Sequence, residues 1–228
     1  MVTIKDLAFS YGKKEVLRGV DLELPVGQIH GILGMNGAGK TTLFHLLYQR
    51  LVPTAGDCRW QHRALLPEHI AFQETEHYFY PYLKGREYLE LLSQSNPDFS
   101  IDRWNDIFEL PLDQLIDGYS TGMRKKLAFI GVLSLDRPIL LLDEPFNGVD
   151  VESNEKLLQI LLRLRDRGKL IILSSHLIQS LTAIADRVHF LRDGRIQQSY
   201  PRESFPYLER ELKEWIGGKI QKKLDRLL

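Results

Sequence analysis

The sequence predicts an α/β fold with a parallel-sheet core, an N-terminal antiparallel β portion and a helical subdomain near residues 84–136. Three observations carry this reading. Short, largely apolar runs at residues 28–33, 139–142 and 170–173 have the composition of strands buried inside a sheet. Two longer strand-like segments, residues 2–9 and 16–24, precede them. The stretch between about 84 and 136 is helical in pattern and separates the first apolar run from the other two.

The elements follow in order. Tyr11-Gly12-Lys13-Lys14 reads as a turn joining the first two strands. Residues 28–33 form a short buried strand that runs into a glycine-rich loop, and residues 41–51 form a helix stopped near Pro53. Residues 58–61 and 70–72 are strand-like. Leu83, Tyr88, Leu91 and Leu92 share one helical face, and Ile101, Trp104, Ile107 and Phe108 repeat at helical spacing until Pro111. Trp104 and its neighbours are core residues on this reading. Residues 151–167 are helical, and a short helix follows the strand at 170–173. Asp193-Gly194 is a hairpin signal between strands at 187–191 and 195–199. Residues 1–200 are expected to form one domain, with 201–228 a polar helical tail. The mixed charges of the tail point to a solvated face, with Trp215 and Ile216 as the residues that would mark a contact instead.

Composition narrows the function. Thirty basic residues balance thirty acidic ones among 228, whereas a dedicated nucleic-acid binder usually carries a basic excess, so no nucleic-acid partner is expected. Cys58 is the single cysteine, so no disulfide forms within the chain, and it is expected to be a small, inert residue in a reducing compartment. The N-terminus lacks a signal-peptide pattern, and no run approaches the ~20 apolar residues needed to span a bilayer. Any service to a membrane is therefore expected from the cytoplasmic side, through a partner.

Chemistry enters with Gly34-Met35-Asn36-Gly37-Ala38-Gly39-Lys40-Thr41-Thr42, which fits G-x-x-x-x-G-K-[ST]. Glycines let a backbone wrap a phosphate and aim N–H groups inward, and the following helix offers its positive end to the same anion. Lys40 reaches the outer phosphates and Thr41 places its hydroxyl on Mg²⁺. An apolar strand before the loop and a helix after it make a chance glycine turn a poor explanation. The second element is Ile139-Leu140-Leu141-Leu142-Asp143-Glu144-Pro145. A buried strand delivers two carboxylates to its C-terminal end, where ligands of parallel sheets bind. Asp143 suits Mg²⁺, and Glu144 suits polarisation of an attacking water.

With those motifs in order, residues 2–199 resemble the nucleotide-binding subunit of an ATP-binding cassette (ABC) transporter, a P-loop NTPase fold. Tyr11 resembles the aromatic that stacks on adenine, and its flat face suits that task. Gln73, in Ala71-Phe72-Gln73, resembles the glutamine that contacts Mg²⁺ and faces the membrane partner; Glu76 is the alternative for that position. Tyr119-Ser120-Thr121-Gly122-Met123-Arg124 resembles the family signature, in which Ser120 and Gly122 would meet ATP held by another subunit. Ser120 or Thr121 also suits an ordinary helix cap, and both uses draw on the same groups. Phe146-Asn147-Gly148-Val149-Asp150 resembles the loop after the acidic motif, and His176 resembles the switch histidine near the γ-phosphate.

The chain departs from the family pattern at Thr121, usually glycine, and at Met123, often glutamine. The Ser-x-Gly-Met form resembles the exporter-like class with a separate permease. The interval from Lys40 to Gln73 is short for the family, so a trimmed antiparallel portion is expected there. The resemblance implies an ATP hydrolase that uses ATP and Mg²⁺. The expected active state is a dimer, of two copies or with a second cassette subunit, closed around two ATP. An integral-membrane permease would be its partner and the cytoplasmic face of the cell membrane its place. A soluble cassette ATPase acting on ribosomes, DNA or an assembly is the alternative, and a non-hydrolysing regulator is a third reading that Glu144 and His176 oppose.

Overall fold

The computed structural model describes residues 1–224, excluding the side chains of residue 216 and of residues 219 onward. The chain begins with β1 (Val2–Tyr11), β2 (Lys14–Leu24) and β3 (Ile29–Leu33), then α1 (Lys40–Leu47). β4 (Ala55–Trp60), β5 (Arg63–Ala64) and β6 (Ile70–Gln73) follow. α2 (Gly85–Ser93), α3 (Ile101–Phe108) and α4 (Thr121–Ser134) form the helical portion. β7 (Ile139–Asp143), α5 (Val151–Asp166), β8 (Leu170–Ser175) and α6 (Ile178–Thr182) alternate after it. A hairpin of β9 (Arg187–Arg192) and β10 (Arg195–Pro201) leads to α7 (Phe205–Leu224).

The strands build two sheets, ordered β2-β1-β4-β5 and β10-β9-β3-β8-β7-β6. The first is antiparallel; in the second, β9, β3, β8, β7 and β6 are parallel and only β10 runs against them. The α/β fold with its antiparallel N-terminal portion is thus as the sequence predicts. Successive side chains of a strand point to opposite faces. Leu140, Leu142, Ile171 and Leu173 enter the core shared with the helices, while Ile139, Leu141, Leu170 and Ile172 enter the core shared with β1, β2 and α1. This two-sided burial explains why those runs are apolar at every position. Between Lys40 and Gln73 the antiparallel sheet gains only β4 and the two-residue β5.

Two expectations need correction. The helix after the glycine loop ends at Leu47 rather than continuing to residue 51. Gln49 turns left-handed (φ 60°), its side chain donates to Leu65 O, and Arg50 pairs with Glu74 while lying over Tyr48 and Phe72. Those tertiary contacts, absent from local pattern, stop the helix. The tail is also not a solvated helix on every side. Phe205, Leu208 and Leu212 of α7 are buried, and Trp215 lies edge-on to Phe190 with Arg192 over both rings. The side chain of Ile216 and all of residues 225–228 lie outside the described residues. Elsewhere, burial pushes the Cys58 thiol up to about 12, which suits an inert residue.

Two histidines are buried between β3 and β9. His30 and His189 stack at 5.4 Å, with His30 Nδ1 3.1 Å from His189 Nε2. Pro25 O only accepts, so His30 Nε2 carries a proton towards it (3.3 Å) and His30 Nδ1 accepts from His189. His189 Nδ1 then accepts from the Ser199 hydroxyl at 2.7 Å. Every polar atom is satisfied only while both rings are neutral. Burial accordingly pushes His30 down to about 4 and His189 to about 3.

Stability should therefore fall as pH drops from about 6.5 towards 4. Over that window the unfolded histidines gain protons and the folded ones do not, at about 1.4 kcal/mol per pH unit for each. Denaturant melts of the chain and of the His30→Asn, His189→Gln double variant should diverge in slope across this window. Parallel curves would refute the assignment.

Candidate functional site

The parallel register brings four strand ends to one edge. Leu33 lies beside Ser175, Asp143 beside Ser174, and Gln73 beside Leu142. Residues 34–42 continue from β3 at this edge and enter α1. Gly39 precedes α1 at φ 108°, a backbone that L side chains rarely adopt, and a Cβ on Gly34 would stand 2.7 Å from Leu191 O. Both glycines are therefore required by the path of the loop. No side chain caps α1, so its first N–H groups point into the loop without a partner from a capping residue.

The acidic pair stands next to this loop. Asp143 is 1% exposed; one carboxylate oxygen accepts from Thr41 Oγ1 at 2.7 Å and the other from Ser174 Oγ. Glu144 turns left-handed (φ 51°) and leaves the strand direction. Its N–H donates to Ser174 Oγ at 3.0 Å. Its carboxylate meets Lys40 Nζ at 3.3 Å, His176 Nδ1 at 3.1 Å and Asn147 Nδ2 at 3.1 Å. Lys40 also donates to Gly34 O at 2.8 Å.

Of these groups, Lys40, Thr41, Glu144, Asn147 and His176 line a cleft of about 640 Å³. Tyr11, Asn36, Gly37, Gly39, Lys40, Thr41, Thr42, Glu144 and His176, all singled out from the sequence, line it. Tyr11 is 52% exposed, and its ring stands nearly perpendicular to that of Phe9. Sequence reasoning missed other lining residues: Lys14, Glu15, Arg18, Thr75, Asp193 and Gly194, with Asn147 noted only for its loop. The β9–β10 turn reaches the cleft because Arg18 N donates to Gly194 O at 2.8 Å. That contact spans the two sheets and leaves no local signal.

Six of the predicted site residues are outside the cleft lining: Gly34, Ala38, Asp143, Gln73, Ser120 and Gly122. Gln73 ends β6, is buried, and donates from Nε2 to Lys125 O at 3.2 Å; Glu76 lies exposed in the loop beyond. Ser120 caps α4 by accepting from Met123 N at 3.2 Å, and Gly122 packs near Gly148 O. Neither Ser120 nor Gly122 lines the cleft of its own chain.

The donor set suits a hard divalent cation. A hydroxyl and a carboxylate, Thr41 and Asp143, converge within hydrogen-bond distance, and the buried Gln73 Oε1 has no hydrogen-bond partner. Among the described residues no group of three or more His, Cys, Asp or Glu is placed to hold a metal. Such a site relies on substrate phosphates and water for its remaining oxygens.

A family model described as "ABC transporter" matches residues 17–147. The chain is 32% identical over 228 aligned residues to the cobalt import ATP-binding protein CbiO of Salmonella paratyphi A, covering 92% of this chain and 84% of that protein. It is 27% identical to the bacitracin transport ATP-binding protein BcrA of Enterococcus faecalis, covering 98% of this chain and 77% of that protein. Its fold matches a solved ATP-binding subunit of an ABC transporter (TM-score 0.78, 23% identity, 88% of this chain and 90% of that one). It also matches the dimeric ATP-binding cassette MJ0796 solved with ADP and Pi (TM-score 0.77, 21% identity, 89% of this chain and 99% of that one).

Ser174 joins both acidic residues, accepting from Glu144 N and donating to Asp143. Ser174→Ala should leave a buried N–H without its partner and a buried carboxylate short of one donor, at a cost of about 2 kcal/mol. Thermal unfolding of the full chain reads this directly. An unchanged midpoint would show that the hydroxyl does not hold the pair.

Proposed function

The chain belongs to the ABC transporter family and is an ATP-binding subunit that hydrolyses ATP, and from that premise we propose how its residues divide the work. The observation that carries the reading is the convergence of Lys40, Thr41, Asp143, Glu144 and His176 at one sheet edge. Residues 34–42, including Asn36, Gly37, Ala38 and Thr42, wrap the phosphates through backbone N–H groups and the end of α1. Tyr11 stacks on adenine at the open side of the cleft. Lys40 exchanges Gly34 O and the Glu144 carboxylate for phosphate oxygens. That exchange releases Glu144 to turn on the attacking water.

Thr41, Asp143 and Gln73 would hold Mg²⁺, which when bound would neutralise phosphate charge. Glu144 accepts a hydrogen bond from the water and orients its lone pair towards the γ-phosphorus. The new P–O bond forms as the bond to the β–γ bridging oxygen breaks, and ADP and phosphate leave. His176, held by Glu144, donates towards the γ-phosphate oxygens. Ser120 and Gly122 close over ATP held by a second subunit. Two copies, or this chain and a second cassette, therefore enclose two ATP, and hydrolysis removes the charge that bridges them.

The partner is an integral-membrane permease at the cytoplasmic face. No helix among the described residues is long and apolar enough to cross a membrane. Tyr78, Tyr80 and Tyr82 stand largely exposed just beyond Gln73, and this aromatic run suits a protein contact. Co-purification from solubilised membranes should recover an integral-membrane protein. Recovery of ribosomes or nucleic acid instead would favour a soluble cassette ATPase.

Two substitutions separate binding from hydrolysis. Glu144→Gln should keep ATP affinity, lose most phosphate release and leave a long-lived dimer on gel filtration with ATP. Lys40→Ala should abolish nucleotide binding. Wild-type turnover in Glu144→Gln would remove Glu144 from its role, and unchanged affinity in Lys40→Ala would count against the phosphate loop.

A further inference from the structure

Glu144 sits in a left-handed backbone, and side chains from two different elements hold its peptide groups. Ser174 of β8 takes its N–H, and Lys125 of α4 donates to its carbonyl at 3.1 Å, beside a 3.3 Å bond from Asn147 N. Lys125 is 7% exposed. Among the described residues its ammonium forms no ion pair, and Glu144 O is its one hydrogen-bond acceptor. Its own carbonyl accepts from Gln73 Nε2 at 3.2 Å. One residue therefore touches Gln73 through its backbone and Glu144 through its side chain.

A packing role alone explains this poorly. Burying an ammonium is costly, and an apolar side chain of similar length would fill the space without that cost. Burial does act against the charge: it lowers the Lys125 pKa, with Glu144 and Asp143 opposing the shift. What the ammonium supplies is a donor at the peptide that must stay left-handed for the Glu144 carboxylate to face Lys40 and His176.

We propose that Lys125 is a positioning residue that fixes the Glu144 peptide and, through α4, ties the Glu144 carboxylate to the Ser120–Gly122 end that closes the opposite site. The inference rests on Glu144 as the group that orients water. Lys125 stands five residues into α4 from its cap at Ser120, about 7.5 Å along the helix axis. The bond from Lys125 to Glu144 O is already made in the single chain. When Ser120 and Gly122 settle on the other subunit's ATP, the helix that carries the Lys125 ammonium is held at its start, and the Glu144 peptide is held with it. Gln73, bonded to the same helix, shares that restraint.

The test compares Lys125→Met, Lys125→Arg, Glu144→Gln and the Lys125→Met, Glu144→Gln pair, using the full chain with Mg-ATP. Lys125→Met should lower kcat roughly ten- to a hundredfold, the loss expected for one charge-assisted hydrogen bond. Nucleotide affinity should stay within about twofold, because the lost interaction does not bind the ground state. Lys125→Arg should restore most of kcat. On the Glu144→Gln background, Lys125→Met should cause no further loss. The Hill coefficient of turnover against ATP should fall towards one in Lys125→Met. If Lys125→Met does not fold, Lys125→Gln takes its place with the same expected split. Wild-type kcat in the Lys125 variant beside an inactive Glu144→Gln overturns this inference and leaves the role of Glu144 standing. Wild-type turnover in Glu144→Gln overturns that role instead. Equal losses in kcat and affinity, unrescued by arginine, would mean a general structural role, and an unchanged Hill coefficient would refute the link between sites.

Discussion

A carboxylate that is 1% exposed has to be hydrogen-bonded on both oxygens, and Asp143 meets that demand by joining two layers of the fold. Ser174 comes from the neighbouring strand and Thr41 from the helix after the phosphate loop. The strand end, its neighbour and the helix therefore cannot be displaced separately without leaving a buried charge uncompensated. The parallel register makes this possible, because it sets Asp143 beside Ser174 and Leu33 beside Ser175. The phosphate loop then leaves β3 at the level of the two carboxylates.

Glu144 inherits its position from that bond. A second residue in strand conformation would point its side chain to the other face of the sheet. The left-handed turn at φ 51° takes the chain out of that alternation, so that Glu144 lines the cleft while Asp143 stays buried against Thr41 and Ser174. Such a backbone costs about 1–3 kcal/mol in a residue with a side chain and persists only where its surroundings over-determine it. Ser174, Lys125 and Asn147 supply those surroundings by hydrogen bonds to its peptide groups. The left-handed turn thus falls on the residue whose carboxylate faces Lys40 and His176.

How much of this was legible in the sequence depended on whether a feature is local. The glycine loop is legible because Gly34 and Gly39 are needed by backbone geometry, and the buried strands because both faces of β7 and β8 demand apolar side chains. The chain order of α/β units also gives the fold class. Residues placed by the meeting of distant elements left no such trace. Thr75, Asp193 and Gly194 reach the cleft through loops whose approach depends on sheet order. Lys125 reads as one of several basic residues on a helix until Glu144 O is found above it. The end of α1 at Leu47 and the packing of α7 on Phe190 follow from partners far away in the chain. Patterning reports which side of an element is apolar, not what will stand opposite it.

The same division accords with the proposed reading of one chain's cleft as an incomplete wall. Ser120 and Gly122 lie at the start of α4, and the helix is tied through Lys125 to the Glu144 carbonyl. Gly122 packs near Gly148 O, so this helix end and the loop after Glu144 form one continuous surface. Lys125 and Gln73 tie α4 to the strand ends of its own chain by buried hydrogen bonds. On the reading proposed above, a second subunit would present its copy of this surface to complete the wall, and the contacts that fix α4 within one chain would keep it rigid as a cap for the other.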